Sequence, residues 1–343
     1  MIKKMIGENE KLIEKLLIES HFFMKAKVDI SCVSLREINR FGKIYNYFLY
    51  NYYKSRGDKA DLSNEKIKKD AIILSLYFCY YLKIPTNLRK EYLLKIKSIE
   101  NLPFEEVSER ETNFIVDKII KDGKGYAKNR GLKQNLFCEF ICLVNKEPLI
   151  ICEKPGSSKT LSINLLLAAM KGEYSSEPFF KNYKEIVPSF YQCSLASTSE
   201  GIQKAFDRAR NKLKNSNYEK NSLVFMDEMG IADDRKNNPL KVMHFELDNN
   251  ENLLDIKEKI SFIGMSIWTL DASKMNRAIN IIVEEPDEDY MINTGKDIAK
   301  SIKEIDNTAK ELIIAISKTY YYIDKFQPNK GIENFHAFVI FII

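Results

Sequence analysis

The stretch LIICEKPGSSKTLSINLLLAAM, residues 149–170, decides the fold expected for the rest of the chain. It opens with an apolar run typical of a buried strand, passes through a turn with proline and glycine, and continues as an apolar helical pattern from about Leu161. In a strand–turn–helix of this kind, backbone N–H groups and the helix N-terminus converge on an anion. The stretch therefore predicts a phosphate-binding loop, with an ordinary strand–turn–helix and a surface lysine as the alternative.

Four residues of the turn supply groups that a nucleotide needs. Lys159 is expected to reach the β- and γ-phosphates, and Thr160 to offer its hydroxyl to Mg²⁺. Gly156 permits a close approach of the backbone, and Pro155 stiffens the turn. These roles predict that the chain binds ATP together with Mg²⁺.

Two residues depart from the common pattern of such loops, which is G-x-x-x-x-G-K-[ST]. Glu153 and Ser158 stand where that pattern has glycine. A carboxylate beside phosphates is repulsive unless its side chain points away from them. Glu153 is therefore the less favourable of the two departures.

A second stretch, SLVFMDEMG at 222–230, is an apolar strand that ends in Asp227 and Glu228. An acidic pair at the carboxyl end of a strand suits Mg²⁺ and water chemistry. Asp227 is expected to hold the metal with its hydration shell, and Glu228 to act as general base on the attacking water. Alone, such a pair is commonly just the solvated end of a strand. After a lysine–threonine loop, it indicates a nucleotide site more strongly.

The order of apolar runs predicts the fold class. From about residue 124 onward, short β-branched and aromatic runs alternate with helical patterns, which indicates an α/β domain with a parallel sheet and helices on both faces. The five runs are EPLIIC, IVPSFYQCS, NSLVFMDE, KISFIGMS and RAINIIVEE. Residues 1–123 are predicted to be mostly helical, with a capping box of Ser34 and Glu37 at the start of one helix.

Composition limits the class of protein. The chain has 343 residues, 45% of them apolar, and a net charge of +5, which does not call for a nucleic-acid partner. Its six cysteines form no CxxC pair and its three histidines do not cluster with them, so no zinc module is expected. Neither end has the pattern of a signal peptide or a membrane span, and a cytoplasmic protein without a transmembrane segment is expected.

Three stretches together resemble the AAA+ modules of the mysterin family, which are giant RING-finger ubiquitin ligases with a dynein-like motor core. They are PSFYQCSLASTSEGI (188–202), MDEMGIADDRKNNPLKVMHFELD (226–248) and ISFIGMSIWTLDASKMNRAINIIV (260–283). The lead-in KNRGLKQNLFCEFICLVNKEPLIIC (128–152) is also similar to that of the family. The resemblance implies a P-loop AAA+ fold, in which a parallel sheet lies between two helical layers.

The phosphate loop of this family reads K-P-G-S-S-K, which matches residues 154–159 and includes Ser157 and Ser158. Ser158 is thus a family trait, whereas Glu153 replaces a family glycine. The resemblance implies that residues 155–160 and Asp227 bind the nucleotide and that Thr160 and Asp227 bind the metal. It also implies that Arg277, in KMNR, is an arginine finger for a neighbouring module, with an arginine solvated at a helix end as the alternative.

The resemblance also implies a division into modules. VSLREINR (33–40) is similar to a lid motif, so residues 1–123 are expected to be the lid of a preceding AAA+ module and 124–290 the nucleotide-binding core. Residues 291–343 are expected to be the truncated start of the next lid, with GIENFHAF (331–338) at the equivalent place. The implied partners are ATP, neighbouring AAA+ modules and, through a longer parent chain only, the ubiquitin machinery.

Two further departures leave the catalytic outcome open. Ile267 stands where the family has a polar sensor asparagine, and Glu333 stands where the lid motif has arginine. One hypothesis is an ATP-hydrolysing AAA+ module, and the other is a nucleotide-binding structural module that turns over slowly or never. A nucleic-acid-stimulated ATPase finds no support, because the sequence lacks a basic stripe with interleaved aromatic residues.

Overall fold

A five-stranded parallel sheet forms the centre of the C-terminal two thirds of the molecule. The computed structural model describes residues 10–56, 65–121, 127–153, 159–233, 238–282, 287–302 and 307–326. The strands coincide with the five predicted runs: β1 Leu149–Cys152, β2 Ile186–Gln192, β3 Asn221–Asp227, β4 Ser261–Ser266 and β5 Ile279–Ile282. Their spatial order is β2-β3-β4-β1-β5, and every neighbouring pair is parallel.

Helices surround this sheet and also make up the N-terminal third. The α-helices are α1 Glu10–Lys27, α2 Leu35–Tyr47, α3 Glu65–Cys79, α4 Thr86–Lys97, α5 Phe104–Ile119, α6 Arg130–Asn145, α7 Lys159–Ala169, α8 Ser199–Asn215, α9 Met229–Asp233, α10 Val242–Asn252, α11 Ala272–Met275, α12 Glu288–Ile302 and α13 Asn307–Phe326. A π-helical segment Phe48–Tyr52 and a turn Tyr53–Ser55 extend α2. Short 3₁₀ segments lie at Tyr81–Lys83, Gly172–Tyr174, Pro178–Asn182, Pro239–Lys241 and Ile256–Glu258.

Both faces of the sheet are buried, as expected for a parallel sheet. Successive residues of a strand point to opposite faces, so Leu149 and Ile151 of β1 pack with α6 and α7 while Ile150 and Cys152 pack with α8 and α10. The result is a three-layer arrangement of helix, sheet and helix. This confirms the α/β prediction and the mostly helical segment that precedes it.

The N-terminal helices share a hydrophobic core with the sheet. One cluster of buried residues extends from Ile13 of α1, through the aromatic side chains of α2, α3 and α6, to Ile281 of β5. Within it Phe78 lies between Phe48 and Phe137, with ring centroids 6.2 and 5.3 Å away. The helical segment therefore packs directly onto one face of the α/β part.

Two local predictions can be compared with the structure. The capping box at α2 is confirmed, because the Ser34 side chain accepts a hydrogen bond from the Arg36 N–H and the Ser34 N–H donates to Glu37 at 2.6 Å. The helix after the turn is described from Lys159, two residues before the expected Leu161. This places Lys159 and Thr160 in the first turn of α7, where a helix attracts negative charge.

The described part of the chain has neither a membrane-spanning helix nor a cluster of metal ligands. None of its helices is both long enough and apolar enough to cross a bilayer. None of its histidine, cysteine, aspartate and glutamate side chains forms a group of three that could hold a metal. The expected lid motif at 331–338, with Glu333, lies outside the described residues.

Candidate nucleotide-binding site

The candidate site lies at the carboxyl edge of the sheet, where β1, β4 and β3 end side by side. Cys152, the last residue of β1, pairs with Ser266, the last residue of β4, and Met226 of β3 pairs with Gly264. The chain after β1 stays attached to β4, because the Glu153 N–H donates to the Ser266 carbonyl at 3.0 Å. In open parallel sheets, ligands bind at this edge.

The expected phosphate-binding lysine and the expected acidic pair come together at this edge. Lys159 is half-buried, and its ammonium donates a hydrogen bond to the Glu153 carbonyl. Burial lowers the pKa of Lys159, and the negative charges of Glu153 and Asp227 oppose this effect. The ammonium therefore lies within electrostatic reach of the acid on β3.

Of the remaining residues of the expected loop, the structure describes Thr160 only. Thr160 is exposed in the first turn of α7, so its hydroxyl is accessible from solvent. Pro155, Gly156, Ser157 and Ser158 lie outside the described residues. Their predicted contribution, which is a row of backbone N–H groups around phosphate, stays a prediction.

The acidic pair has an unusual backbone geometry. Asp227 is half-buried and accepts a hydrogen bond from the Glu228 N–H at 2.8 Å. Glu228 has a φ of 54°, in the left-handed region that non-glycine residues seldom adopt. Such conformations cost about 1–3 kcal/mol and are concentrated at functional sites. Glu228 lies directly before the first residue of α9.

The surroundings of Asp227 oppose its ionisation. Burial raises the pKa of Asp227 above its usual value, and the charge on Glu228 adds to the rise. The Glu228 N–H and the Lys159 ammonium act in the opposite direction. A half-buried carboxylate with a raised pKa beside a second acid is an arrangement that a divalent cation stabilises.

Glu153, the unfavourable departure from the loop pattern, directs its carboxylate toward α6. The residue is 4% exposed, and its Oε2 accepts a hydrogen bond from the fully buried Asn135 amide at 2.9 Å. Its Oε1 lies 3.2 Å from the point where a Cβ on Gly131 would be. The Glu153 carboxylate is therefore held by residues of α6.

The position of the family's sensor asparagine is apolar in this chain. Ile267 is half-buried and has no polar side-chain atom. The neighbouring Ser266 directs its hydroxyl to the Trp268 carbonyl at 2.5 Å. The Trp268 ring lies against Gly230 so closely that a Cβ there would be 2.7 Å from the indole. Among these described residues, Ser266 does not replace the missing donor.

Arg277 lies at the opposite edge of the sheet. It comes two residues before β5, whose first residue pairs with Leu149 at the start of β1. The guanidinium binds Asp248 through two nitrogens, Nε to Oδ1 at 3.1 Å and Nη2 to Oδ2 at 3.0 Å. Asp248 also accepts a hydrogen bond from Arg36 at 3.0 Å. Arg277 is thus paired within this chain and remote from its own candidate site, so the arginine-finger role stays a prediction.

Sequence reasoning missed the residues that support the site from α6 and α12. Asn135 contacts Glu153, and fully buried Glu139 accepts a hydrogen bond from Ser162 of α7 at 2.6 Å. Tyr290 of α12 lies beside Gly131. The available signal was the spacing of 131, 135 and 139, which places three non-apolar residues on one face of a largely apolar helix.

A family model and several curated proteins that are similar to this chain all carry the name RNF213. The family model described as the RNF213 AAA domain matches residues 125–290. The E3 ubiquitin-protein ligase rnf213-beta of Danio rerio is 29% identical over 349 residues. The E3 ubiquitin-protein ligases RNF213 of Homo sapiens and Mus musculus are 28% and 27% identical over 355 and 352 residues.

Each of these three alignments covers 96% of this chain but only 7% of the relative. The chain thus spans a small part of the curated relatives that it matches. The match includes both the helical segment and the α/β part, in agreement with the mysterin resemblance. This chain is thus similar to RNF213 over nearly all of its length, and its residues 125–290 match the RNF213 AAA domain.

Proposed function

We propose that this chain is an AAA+ module that binds ATP and hydrolyses it with Mg²⁺. The observation that carries the proposal is the juxtaposition of Lys159 with Asp227 and Glu228 at the carboxyl edge of one sheet. An ammonium group and two acids in electrostatic contact, next to a helix N-terminus, match the needs of a nucleoside triphosphate with its metal.

Each side chain has one role in this proposal. Lys159 neutralises charge on the β- and γ-phosphates, and residues 155–158 offer backbone N–H groups to them. Thr160 and Asp227 hold Mg²⁺, whose charge offsets the penalty that raises the pKa of Asp227. Glu228 accepts a proton from the attacking water, whose oxygen bonds to the γ-phosphorus while the bond from that phosphorus to the bridging oxygen breaks and ADP leaves.

A wider role follows from the relatives. They are named E3 ubiquitin-protein ligases, and this chain covers 7% of their length. We place the module in the motor-like core of a longer ligase of this kind, in the cytoplasm, where ubiquitin ligation belongs to other parts of the parent. Arg277 then serves the nucleotide of a neighbouring module.

The module boundaries extend this proposal. Residues 1–123 form the lid of a preceding module, 124–290 the nucleotide-binding core and 291–343 the beginning of the following lid. Support comes from Arg36, in the lid-like motif, which binds the same carboxylate as Arg277. An arginine from the lid motif and the arginine-finger candidate thus lie side by side, as they must if both serve one neighbouring nucleotide.

A second candidate is a nucleotide-binding structural module that hydrolyses slowly or never. The apolar Ile267 and the engaged hydroxyl of Ser266 favour it, because neither of these two residues offers a free polar group to orient water. Loss of one such donor commonly reduces a rate by about 100-fold or more. In this candidate, ATP acts as a ligand that stabilises the fold by mass action.

Phosphate release by the purified chain, compared with Lys159→Ala and Glu228→Gln, tests the first candidate. We expect release by the wild type, none by Lys159→Ala and a fall of about 100-fold or more in Glu228→Gln. Equal rates in all three proteins contradict hydrolysis at this site.

Thermal unfolding with and without ATP and Mg²⁺ separates the two candidates. A rise in Tm without phosphate release supports the structural module. No rise at millimolar ATP contradicts both candidates.

A further inference from the structure

One face of α6 supports the candidate site on both sides of residues 154–158, for which the sequence predicts a turn. Before the turn, Asn135 donates a hydrogen bond to the Glu153 carboxylate at 2.9 Å. After the turn, Ser162 donates to Glu139 at 2.6 Å and to the Lys159 carbonyl at 2.7 Å. Asn135 and Glu139 are four residues apart, so both point from the same side of the helix. A single helix face thus contacts the residues that precede and follow the turn.

The hydrogen bond between Asn135 and Glu153 is buried. The carboxylate is almost inaccessible to solvent, and a buried charge needs a hydrogen-bond partner to offset its lost hydration. Asn135 supplies this partner from a fully buried position. The main chain of the same residue is also held, because its N–H binds β4 and its carbonyl accepts the Lys159 ammonium. The side chain of Glu153 thus fixes the peptide group that the lysine contacts.

The same carboxylate and a residue of the C-terminal helix α12 both lie beside Gly131 of α6. A Cβ added to Gly131 would lie 3.1 Å from the Tyr290 hydroxyl and 3.2 Å from Glu153 Oε1, so both groups pack against this bare Cα. Burial raises the pKa of Tyr290, and the charge on Glu153 adds to the rise. The next residue of α12, Met291, packs against Ala127 just before α6.

We propose that Glu153 is a positioning residue whose buried side chain ties the end of β1 to α6 and α12 and thereby sets the position of the Lys159 ammonium. The inference deepens the proposed function and rests on it. The negative charge of Glu153 suggested from the sequence that this residue would repel ATP. The inference is the opposite, namely that Glu153 supports ATP binding. Replacing it with the family's glycine weakens binding, because Asn135 loses its acceptor and the strand end loses its anchor.

Binding of ATP and Mg²⁺, measured by titration calorimetry well below Tm, tests this inference with four variants. We expect Glu153→Gly to bind on the order of tenfold more weakly, the equivalent of one lost hydrogen bond to a charged group. Glu153→Gln keeps an acceptor for Asn135 and binds nearly as the wild type. Asn135→Asp sets two carboxylates face to face and binds weakly, whereas the pair Asn135→Asp with Glu153→Gln restores a donor and an acceptor and regains affinity.

A matched control is Glu173→Gly, which removes an exposed glutamate from the turn after α7 and leaves affinity unchanged. A merely structural Glu153 lowers Tm without this pattern of affinity and rescue. The inference is overturned if Glu153→Gly binds ATP as well as the wild type does, or better.

Amide hydrogen exchange measured without nucleotide tests the role of Glu153 independently of ATP binding. We expect faster amide exchange in α12 in Glu153→Gly and not in Glu153→Gln. If the wild type fails to bind ATP, the proposed function fails, and this exchange pattern still decides whether Glu153 ties β1 to α12. Unchanged exchange in Glu153→Gly contradicts that tie.

Discussion

At the scale of one residue, the ionised Asp227 that the candidate site needs makes the folded chain less stable. Its carboxylate is half-buried beside Glu228, and both effects raise its pKa. An acid whose folded pKa is raised favours the folded state only while protonated, so that benefit is lost as pH rises through the folded pKa. At neutral pH the ionised Asp227 therefore lowers the free energy of unfolding.

Asp227→Asn is accordingly expected to stabilise the chain at neutral pH while it abolishes Mg²⁺-dependent ATP binding. The gain is small because the group is only half-buried, and we expect a rise in Tm of about 2 °C. Thermal unfolding from pH 4 to pH 8 measures it. The difference should shrink as pH falls through the folded pKa, because the wild-type acid then becomes protonated in the folded state. A lower Tm of the variant at pH 7 contradicts this explanation.

Individual residues also mark the limit of what the sequence predicts. Lys159, Asp227 and Glu228 could be proposed from their places after strands, because parallel strands end at a common edge. The partners of Glu153 could not, since Asn135 and Tyr290 are distant in sequence and meet it only through helix packing.

At the scale of elements, α2 is anchored by charges that lie in the interior. Glu37 closes the capping box of the helix and also binds Arg40 at 3.0 Å and Lys83 at 2.8 Å. Arg40 continues to the Ala278 carbonyl at 3.3 Å, in the segment that leads into β5. The network thus links α2 to the 3₁₀ segment after α3 and to the edge of the sheet.

We expect Glu37→Gln to lower the free energy of unfolding by about 3–5 kcal/mol, because buried Lys83 loses the carboxylate that binds it and buried Arg40 keeps only its pair with Glu147, at 3.6 Å. Burial acts to raise the pKa of Glu37, but Lys83, Arg40 and the Ser34 N–H together lower it below its usual value. Its stabilising effect is therefore present above the unfolded pKa and lost as pH falls through the folded one. Urea unfolding at pH 7 and in acid measures both effects. Glu65→Gln, at an exposed pair with Lys68, is the control and should change little.

Elements were predicted unevenly for a physical reason. The five strands and the start of α2 follow from local patterns, namely apolar runs and the Ser34–Glu37 box. The strand order β2-β3-β4-β1-β5 depends on how the connections cross the sheet. Pattern alone does not contain that information, so the strand order is known only from the structure.

At the scale of the whole molecule, the helical segment and the α/β part are joined by one continuous hydrophobic cluster. Elements that share a buried core tend to unfold together. The expected boundary near residue 124 therefore separates two parts of the chain without separating two cores.

The single tryptophan gives a direct test of this coupling. Trp268 follows β4 and reports on the α/β part, whereas far-UV circular dichroism reports on all helices. We expect urea unfolding followed by the two signals to give the same midpoint. Two separated transitions contradict a shared core.

The central claim is that Lys159 and the acids of β3 form one nucleotide site. Titration calorimetry of ATP with the wild-type chain and with Lys159→Ala, each with and without Mg²⁺, tests it most directly. We predict binding by the wild type that strengthens with Mg²⁺, and a loss of at least about tenfold in Lys159→Ala. Equal affinity in the two proteins, or no heat of binding in the wild type, would contradict the claim.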